Sequence, residues 1–307
     1  MSKIATRKSF GQALVKLAAF NRQIVCLDAD LSKSTQSCLF AEAYPDRFFD
    51  MGIQEANMIG VAAGMAFAGK IPFICSFACF LTSRFDQIRM SIGYSQANVK
   101  IVGTHAGLGV GGDGHSQMGL EDIALMRTIP NMTILQPAGD REAQEMVAWA
   151  IEHAGPVYLR LTRQDVESDD KFPFTPGLWP ELVSGEQVAF LAAGAMVPNA
   201  LQACNLLAQE GLQVGVINAN CPHPLPHDCL QKIVQKYQTL VVVEDHSVIG
   251  GTGEAVAAWT ATHHPCRVYR WGVEGFGESG DPKALYAKHR LTADALALRL
   301  RQEVLAK

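Results

Sequence analysis

Nothing in this sequence is long and apolar enough to cross a membrane. Its longest largely apolar stretch, Ala56 to Gly69, falls short of the roughly 20 residues that a spanning helix needs. The opening residues, MSKIATRKSFGQAL, lack the continuous apolar core of a secretory signal, so a soluble, cytoplasmic protein is expected. Charge is scarce, at 18% of residues, and no run of one sign is long enough to read as an interaction tail. A net charge of −4 argues against nucleic-acid binding as the main role. The eight cysteines make no disulfide framework. Most sit in apolar runs such as IVCLDAD, FICSFACF and LQACNLLA, which read as reduced core.

What is present is a repeated alternation. With 48% hydrophobic residues the chain suits a compact enzyme, and its length suits two domains of roughly 150 residues each. Short β-rich runs (QIVCLDAD, KIPFICSFA, VKIVGTHAG, MTILQPAG, GPVYLRLT) alternate with helical patterns. That order predicts a mostly parallel sheet covered by helices. The acidic, proline-bearing stretch RQDVESDDKFPFTPGLWPELVSGE then breaks the pattern, which restarts with QVAFLAAGA, LQVGVINAN, TLVVVEDHS and CRVYRWG. The expected architecture is α/β: one domain over 1–165, a linker over 166–186 and a second domain over 187–307.

Three smaller patterns invite function. GVGGDG, Gly109 to Gly114, has the dinucleotide-loop spacing, but the position about 20 residues beyond it is Ile134, in an apolar strand where an acid is wanted. GGTG, Gly250 to Gly253, precedes a helical pattern; it reads as an anion-binding turn or as a tight strand-to-helix turn. CPHPLPHDC places Cys221, His223, His227 and Cys229 together, though the spacing fits no standard zinc finger and the prolines suggest a surface turn.

The sharpest question is posed by DMGIQEANMIGVAAGMAFAGK, Asp50 to Lys70, in which Glu55 is the one charge between the ends. A buried, unpaired carboxylate tends to take up a proton, so Glu55 needs a partner. Read in isolation it is equally an ordinary first-turn glutamate.

Eight segments, in order along the chain, carry a resemblance: KIATRKSF, DADLSKS, GIQEANM, SFACFLTSRFDQIRM, THAGLGVGGDGHSQMGLED, PNMTILQPAGD, LRLTRQ and VVVEDHSVIGGTGEAV. Together they resemble transketolase, the thiamine-diphosphate enzyme that moves two-carbon ketol units. The likeness covers that family's last two domains, the pyrimidine-binding and C-terminal domains, and implies two three-layer α/β units with mostly parallel sheets. The missing domain carries a GDG motif with a later asparagine that holds Mg²⁺ and the diphosphate. The GDG here, Gly112 to Gly114, has no such partner, since 138–142 reads AGDRE, and it falls in the family's substrate-channel loop.

The resemblance gives Glu55 its partner: N1′ of the cofactor's aminopyrimidine, where the carboxylate favours the imino tautomer. It implies that Phe77 and Phe80 stack on the pyrimidine and that Asp30 lies on the cofactor side. Taken bare, Phe77, Phe80, Leu81 and Ile88 could be the buried stripe of one helix, and Asp30 a turn or N-cap residue. For the substrate, the resemblance assigns Asp113 to the ketose C2 hydroxyl and Arg7, Ser34, His105 and Arg163 to a sugar phosphate. A bidentate guanidinium suits the phosphate oxygens. No metal ligand is assigned to this chain, so Mg²⁺ is expected mainly on a partner.

Departures from the family pattern fall on the sugar side. GIQEANM carries Gln54 and Asn57 where many members read GIREHAM, Gln117 stands where many carry histidine, and His115 replaces a usual proline. Gln117 is therefore read as a hydrogen-bonding, not proton-transferring, substrate contact. The expected protein is the small subunit of a split transketolase, joined to a diphosphate-binding subunit in an α₂β₂ assembly acting on sugar phosphates. The alternatives are the beta subunit of a 2-oxo-acid dehydrogenase, a deoxyxylulose-phosphate synthase relative, and a non-catalytic nucleotide-binding or regulatory module.

Overall fold

The computed structural model describes residues 3–167 and 174–306. Its strands are β1 (Lys3–Ala5), β2 (Ile24–Asp28), β3 (Phe48–Asp50), β4 (Ile71–Phe77), β5 (Lys100–Thr104), β6 (Thr133–Leu135), β7 (Val157–Arg160), β8 (Asp165–Glu167), β9 (Glu181–Val183), β10 (Val188–Ala192), β11 (Val214–Asn218), β12 (Thr239–Ser247) and β13 (Arg267–Val273). The first sheet has the order β3-β2-β4-β5-β7-β6, and every pair in it is parallel. The second has the order β13-β12-β10-β11-β9, parallel except for β9, which runs antiparallel along β11.

Sequence and sheet agree for a physical reason. Central parallel strands are buried on both faces, so β2, β4, β5 and β10 are unbroken buried runs, not alternating ones. Helices cover both faces of the first sheet. Phe10 and Leu14 of the Thr6–Ala18 helix pack with Met146 and Val147 on one side. Met58 and Ile59 of the Glu55–Phe67 helix pack with Ile88, Ile92 and Met126 on the other.

The differences lie at the edges. β1 and β8 form a separate antiparallel pair, with Ala5 opposite Asp165, so part of the stretch read as linker is paired to the start of the chain. β9 likewise puts residues of that stretch into the second sheet, while 168–173 lie outside the described residues. Phe77 is not part of a helical stripe: it ends β4 and precedes the short helix Ala78–Thr82, whereas Leu81 and Ile88 are core. The Glu55 helix is buried along Met58, Ile59, Ala62 and Ala63 but leaves Asn57, Gly60, Gly64 and Phe67 bare in this chain. No helix among the described residues is long and apolar enough to cross a membrane.

The two sheets meet through buried polar contacts. Asp122 accepts hydrogen bonds from Arg160 Nε and Tyr158 OH, both at 2.8 Å, and Arg160 Nη2 donates onward to the Gly119 and Asp245 carbonyls. Glu142 accepts from Ala138 N–H, from Asn218 Nδ2 and from Asn220 Nδ2. Burial raises the Glu142 pKa, and these donors oppose the rise.

The other singled-out motifs resolve into structure. At GGTG the anion is the protein's own: the Glu244 carboxylate accepts from Thr252 and Gly253 N–H (2.5 and 2.8 Å) at the start of the Thr252–His263 helix. GVGGDG is a kinked pair of 3₁₀ turns and not a strand–turn–helix. The Cys/His cluster does not converge. Cys221 Sγ faces the His223 carbonyl, Cys229 Sγ accepts from Trp179 N–H, and His227 Nδ1 accepts from Trp259 Nε1 at 3.0 Å. Among the described residues no group of three or more His, Cys, Asp or Glu side chains is placed to hold a metal ion.

Candidate active site

In the first sheet the chain leaves β2 to build β3 on one side and returns to build β4 on the other. A parallel sheet opens a crevice at such a switch point, beyond the carboxyl ends of its strands. The candidate residues gather there. Asp30 follows β2, Glu55 follows β3, Phe77 ends β4, His105 follows β5 and Arg163 follows β7. A cavity of about 520 Å³ lies at this end, lined among others by Asp30, Ile53, Glu55, Phe77, Phe80 and Gln117.

Glu55 is 6% exposed and opens its helix, where the macrodipole favours a negative charge. Ser76 Oγ, on β4, donates to Oε1 at 3.0 Å; Oε2 takes no hydrogen bond among the described residues. Half of the carboxylate is thus fixed by the sheet and half is left for a ligand. Phe77 and Phe80 stand nearly parallel, 9° apart with centroids at 5.4 Å, and make an apolar shelf beside it.

Asp30 has φ +64, a left-handed turn that aspartate tolerates, and its N–H donates to Asp50 Oδ1. The turn is organised from below by Asp28, a residue that the pattern of the sequence did not single out. Asp28 is fully buried and accepts from Leu31 N–H, Thr35 Oγ1 and Ser37 Oγ at 2.6–2.8 Å. Burial raises its pKa, against these three donors. A DAD run followed by several Ser and Thr residues was the available signal.

A second cluster lies next to the cavity. Arg7 Nη1 donates to the Ser34 carbonyl at 2.5 Å. Arg163 Nη1 donates to the Val110 carbonyl and to Asp113 Oδ2, at 2.5 and 3.0 Å, so two residues assigned to the sugar are paired with each other. His105 joins the clusters: its ring stacks on Phe77 at 3.7 Å, and Thr104 Oγ1 lies 3.0 Å from its Nδ1. Burial, and then the charges of Arg7 and Arg163, push the His105 pKa down to about 3.

His105 is therefore a neutral hydrogen-bonding ring at neutral pH. Its proton resonances should stay at their neutral positions from pH 8 to pH 5, and a midpoint near the ordinary value of about 6.5 would contradict this geometry. The folded value lies below the unfolded one. The stabilisation is then complete only above about 6.5 and is lost as pH falls toward about 3.

The loop 107–119, which carries Asp113 and Gln117, is held by the second sheet. Asp245, on β12, accepts from Leu108 N–H at 2.8 Å and from Tyr286 OH at 2.5 Å. Gly107, at φ +84, passes so close that an added Cβ would lie 2.0 Å from Asp245 Oδ2. His115 tethers the far end: its Nδ1 accepts from Gly277 N–H, and its ring meets Phe276 edge-on at 4.8 Å.

The site sets a half-free buried carboxylate beside an aromatic shelf at the switch point of a parallel α/β sheet. Residues 2–168 match the family described as transketolase, pyrimidine binding domain, and residues 177–296 match transketolase, C-terminal domain. The chain belongs to the transketolase family, whose members are thiamine-diphosphate-dependent transferases.

It is 39% identical, over 97% of its length and 96% of the other, to a Methanocaldococcus jannaschii chain assigned as a transketolase C-terminal section. It is 38% identical to the 6-deoxy-6-sulfo-D-fructose transketolase subunit of a Clostridium species, over 94% of this chain and 90% of that one. A solved β₄ tetramer of a split-gene transketolase, described as inactive, superposes with a TM-score of 0.89 at 40% identity, covering 99% of both chains. Against the undivided human transketolase the match spans 97% of this chain and 49% of that enzyme. The chain is thus a transferase subunit of the split-transketolase kind.

Proposed function

We propose that this chain is the small subunit of a two-component transketolase that passes a two-carbon ketol unit from a ketose phosphate to an aldose or aldose phosphate. The observation that carries the reading is the Glu55 carboxylate, buried, held on one oxygen by Ser76 and unpaired on the other at the edge of the Phe77–Phe80 shelf. These features fit the aminopyrimidine end of thiamine diphosphate, which when bound supplies the nucleophilic carbon and the electron sink for ketol transfer. Glu55 holds a proton contact at N1′, Phe77 and Phe80 seat the ring, and Asp30 closes the cavity rim. A low-dielectric wall strengthens that one contact.

Arg7, Ser34, His105 and Arg163 bind the phosphate, with Asp113 and Gln117 on the sugar hydroxyls. Arg163 leaves Asp113 for the substrate's phosphate, a trade of one anion for another. The domain division is proposed at 1–165 and 187–307. The partner is a diphosphate-binding subunit that holds most of the Mg²⁺ shell, in an α₂β₂ assembly in the cytoplasm. The bare face at Gly60, Gly64 and Phe67, with Ile53 78% exposed at the cavity rim, is where that assembly would close.

Co-expression with a diphosphate-binding transketolase subunit tests this. A stoichiometric complex that retains thiamine diphosphate and transfers ketol units supports it. A complex that decarboxylates 2-oxo acids without ketol transfer, or a chain that never associates, overturns it.

A further inference from the structure

Arg7 and Arg163 are 156 positions apart in sequence, yet they share one neighbourhood: Arg163 lowers the Arg7 pKa after burial does, Asp165 opposes that, and both arginines depress His105. Two neighbouring cations repel, and the pairing of Arg163 with Asp113 and the charge of Asp165 near Arg7 offset only part of it. The residues that precede them supply the tether. Thr162 N–H donates to Thr6 Oγ1 at 2.8 Å, the two hydroxyl oxygens lie 3.1 Å apart, and Thr6 N–H points back to Thr162 Oγ1 at 3.4 Å. Thr162 Oγ1 donates on to the Gln164 carbonyl at 3.1 Å, which orders the proton chain: Thr6 O–H to Thr162 oxygen, Thr162 O–H to Gln164. Both threonines are buried, and immediately beyond them β1 and β8 pair, with Ala5 opposite Asp165.

We propose that the Thr6–Thr162 hydroxyl couple is the positioning device that sets the spacing of Arg7 and Arg163 for a phosphate group; this rests on the reading of those arginines as the phosphate grip. Neither threonine is among the residues proposed to touch substrate or cofactor, and their side-chain hydrogen bonds are to each other and to Gln164. Each fixes the backbone one residue before a guanidinium, at the first turn of the Thr6–Ala18 helix on one side and just past β7 on the other. A dianion between the arginines relieves their repulsion, and its affinity depends on how well the two forks converge. Without the hydroxyls the buried Thr162 N–H loses its acceptor, and the spacing of the two guanidinium groups then rests on the β1–β8 pairing and on their own contacts with Ser34, Val110 and Asp113.

The test uses the assembled two-subunit enzyme carrying Thr6→Val, Thr162→Val or both. The donor is an unphosphorylated ketose, so that only the acceptor's phosphate meets the arginines. Acceptors are glycolaldehyde and an aldopentose 5-phosphate, and calorimetry with inorganic phosphate gives a reading independent of turnover. Each valine variant should raise KM for the phosphorylated acceptor about tenfold and weaken phosphate binding similarly, with kcat and the glycolaldehyde KM unchanged. The double variant should fall short of the product of the singles, because one couple is lost in each. Thr6→Ser and Thr162→Ser should restore wild-type constants. If valine prevents assembly, alanine against serine at Thr162 makes the same comparison.

Serine variants as impaired as valine variants would show that the methyl packing matters and the hydroxyls do not, and would overturn the proposal. Equal losses with both acceptors would also overturn it, as general misfolding. Arg7→Ala and Arg163→Ala separate the two layers. If they abolish the preference for phosphate while the valine variants keep it, the positioning role alone fails. If they leave the preference intact, the phosphate grip itself is wrong and the positioning role falls with it.

Discussion

Glu55→Gln is expected to lower turnover of the assembled enzyme by about 10²–10⁴-fold, the range that a positioned proton-transfer group contributes. The substitution preserves the shape of the side chain and its contact with Ser76, since the amide oxygen still accepts from the hydroxyl. On the proposed reading, what it removes is the carboxylate that favours a protonated N1′. The fold should not notice. Glu55 takes part in no ion pair among the described residues and accepts one hydrogen bond, so the unfolding midpoint and the assembly with the partner should match those of the unaltered chain. The decisive comparison is kcat for ketol transfer at saturating cofactor. A variant within a fewfold of wild type would remove Glu55 from the chemistry and leave it a helix-opening residue.

The largest effect on stability is expected at Arg160, which ties the two sheets together. It is 2% exposed and donates to Asp122, Gly119 and Asp245 from three directions. Burial opposes its charge, but Asp122 and then Asp245 outweigh that cost and hold its pKa up. Arg160→Ala leaves Asp122 buried and short of a cation, with Asp122 Oδ1 already without a hydrogen-bond partner. Breaking one side of a buried pair costs about 3–5 kcal/mol. Lysine should not rescue it, because a point charge cannot reach both carbonyls and the carboxylate at once.

Chemical denaturation measures the loss, and amide exchange should localise it to the loop 107–119, whose Gly119 carbonyl loses the Arg160 donor and keeps only the Gly107 N–H. A change below about 1 kcal/mol would mean that Asp122 sheds its charge or regains water once the guanidinium is gone, and that Arg160 does not hold the two sheets together.

Much of the fold was legible because its strands are two-sided. IVCLD, KIVGT and VAFLA cannot be exposed on either face in a parallel sheet, and such runs announce themselves without an alignment. β1, β3, β8 and β9 were not legible. Each has three residues, lies at an edge or in a two-strand pair, and carries no periodicity that a window could detect. Two of them, β8 and β9, lie within or at the edge of the stretch read as linker, and they went unseen there for that reason.

The site divides the same way. The sequence by itself determined which chemistry is available: a lone carboxylate opening an apolar helix, a Phe-x-x-Phe pair after a buried strand, and Thr-Arg twice near opposite ends of one unit. Only the tertiary structure decided the partners. Ser76 for Glu55, Asp28 beneath the Asp30 turn, Glu244 on the GGTG turn, Asp245 against Gly107 and Thr162 against Thr6 are all choices made outside local sequence. A polar side chain has no intrinsic preference for one distant donor over another. Burial makes an unpaired group costly, and the hydrophobic faces of the helices and sheets decide which groups are buried together.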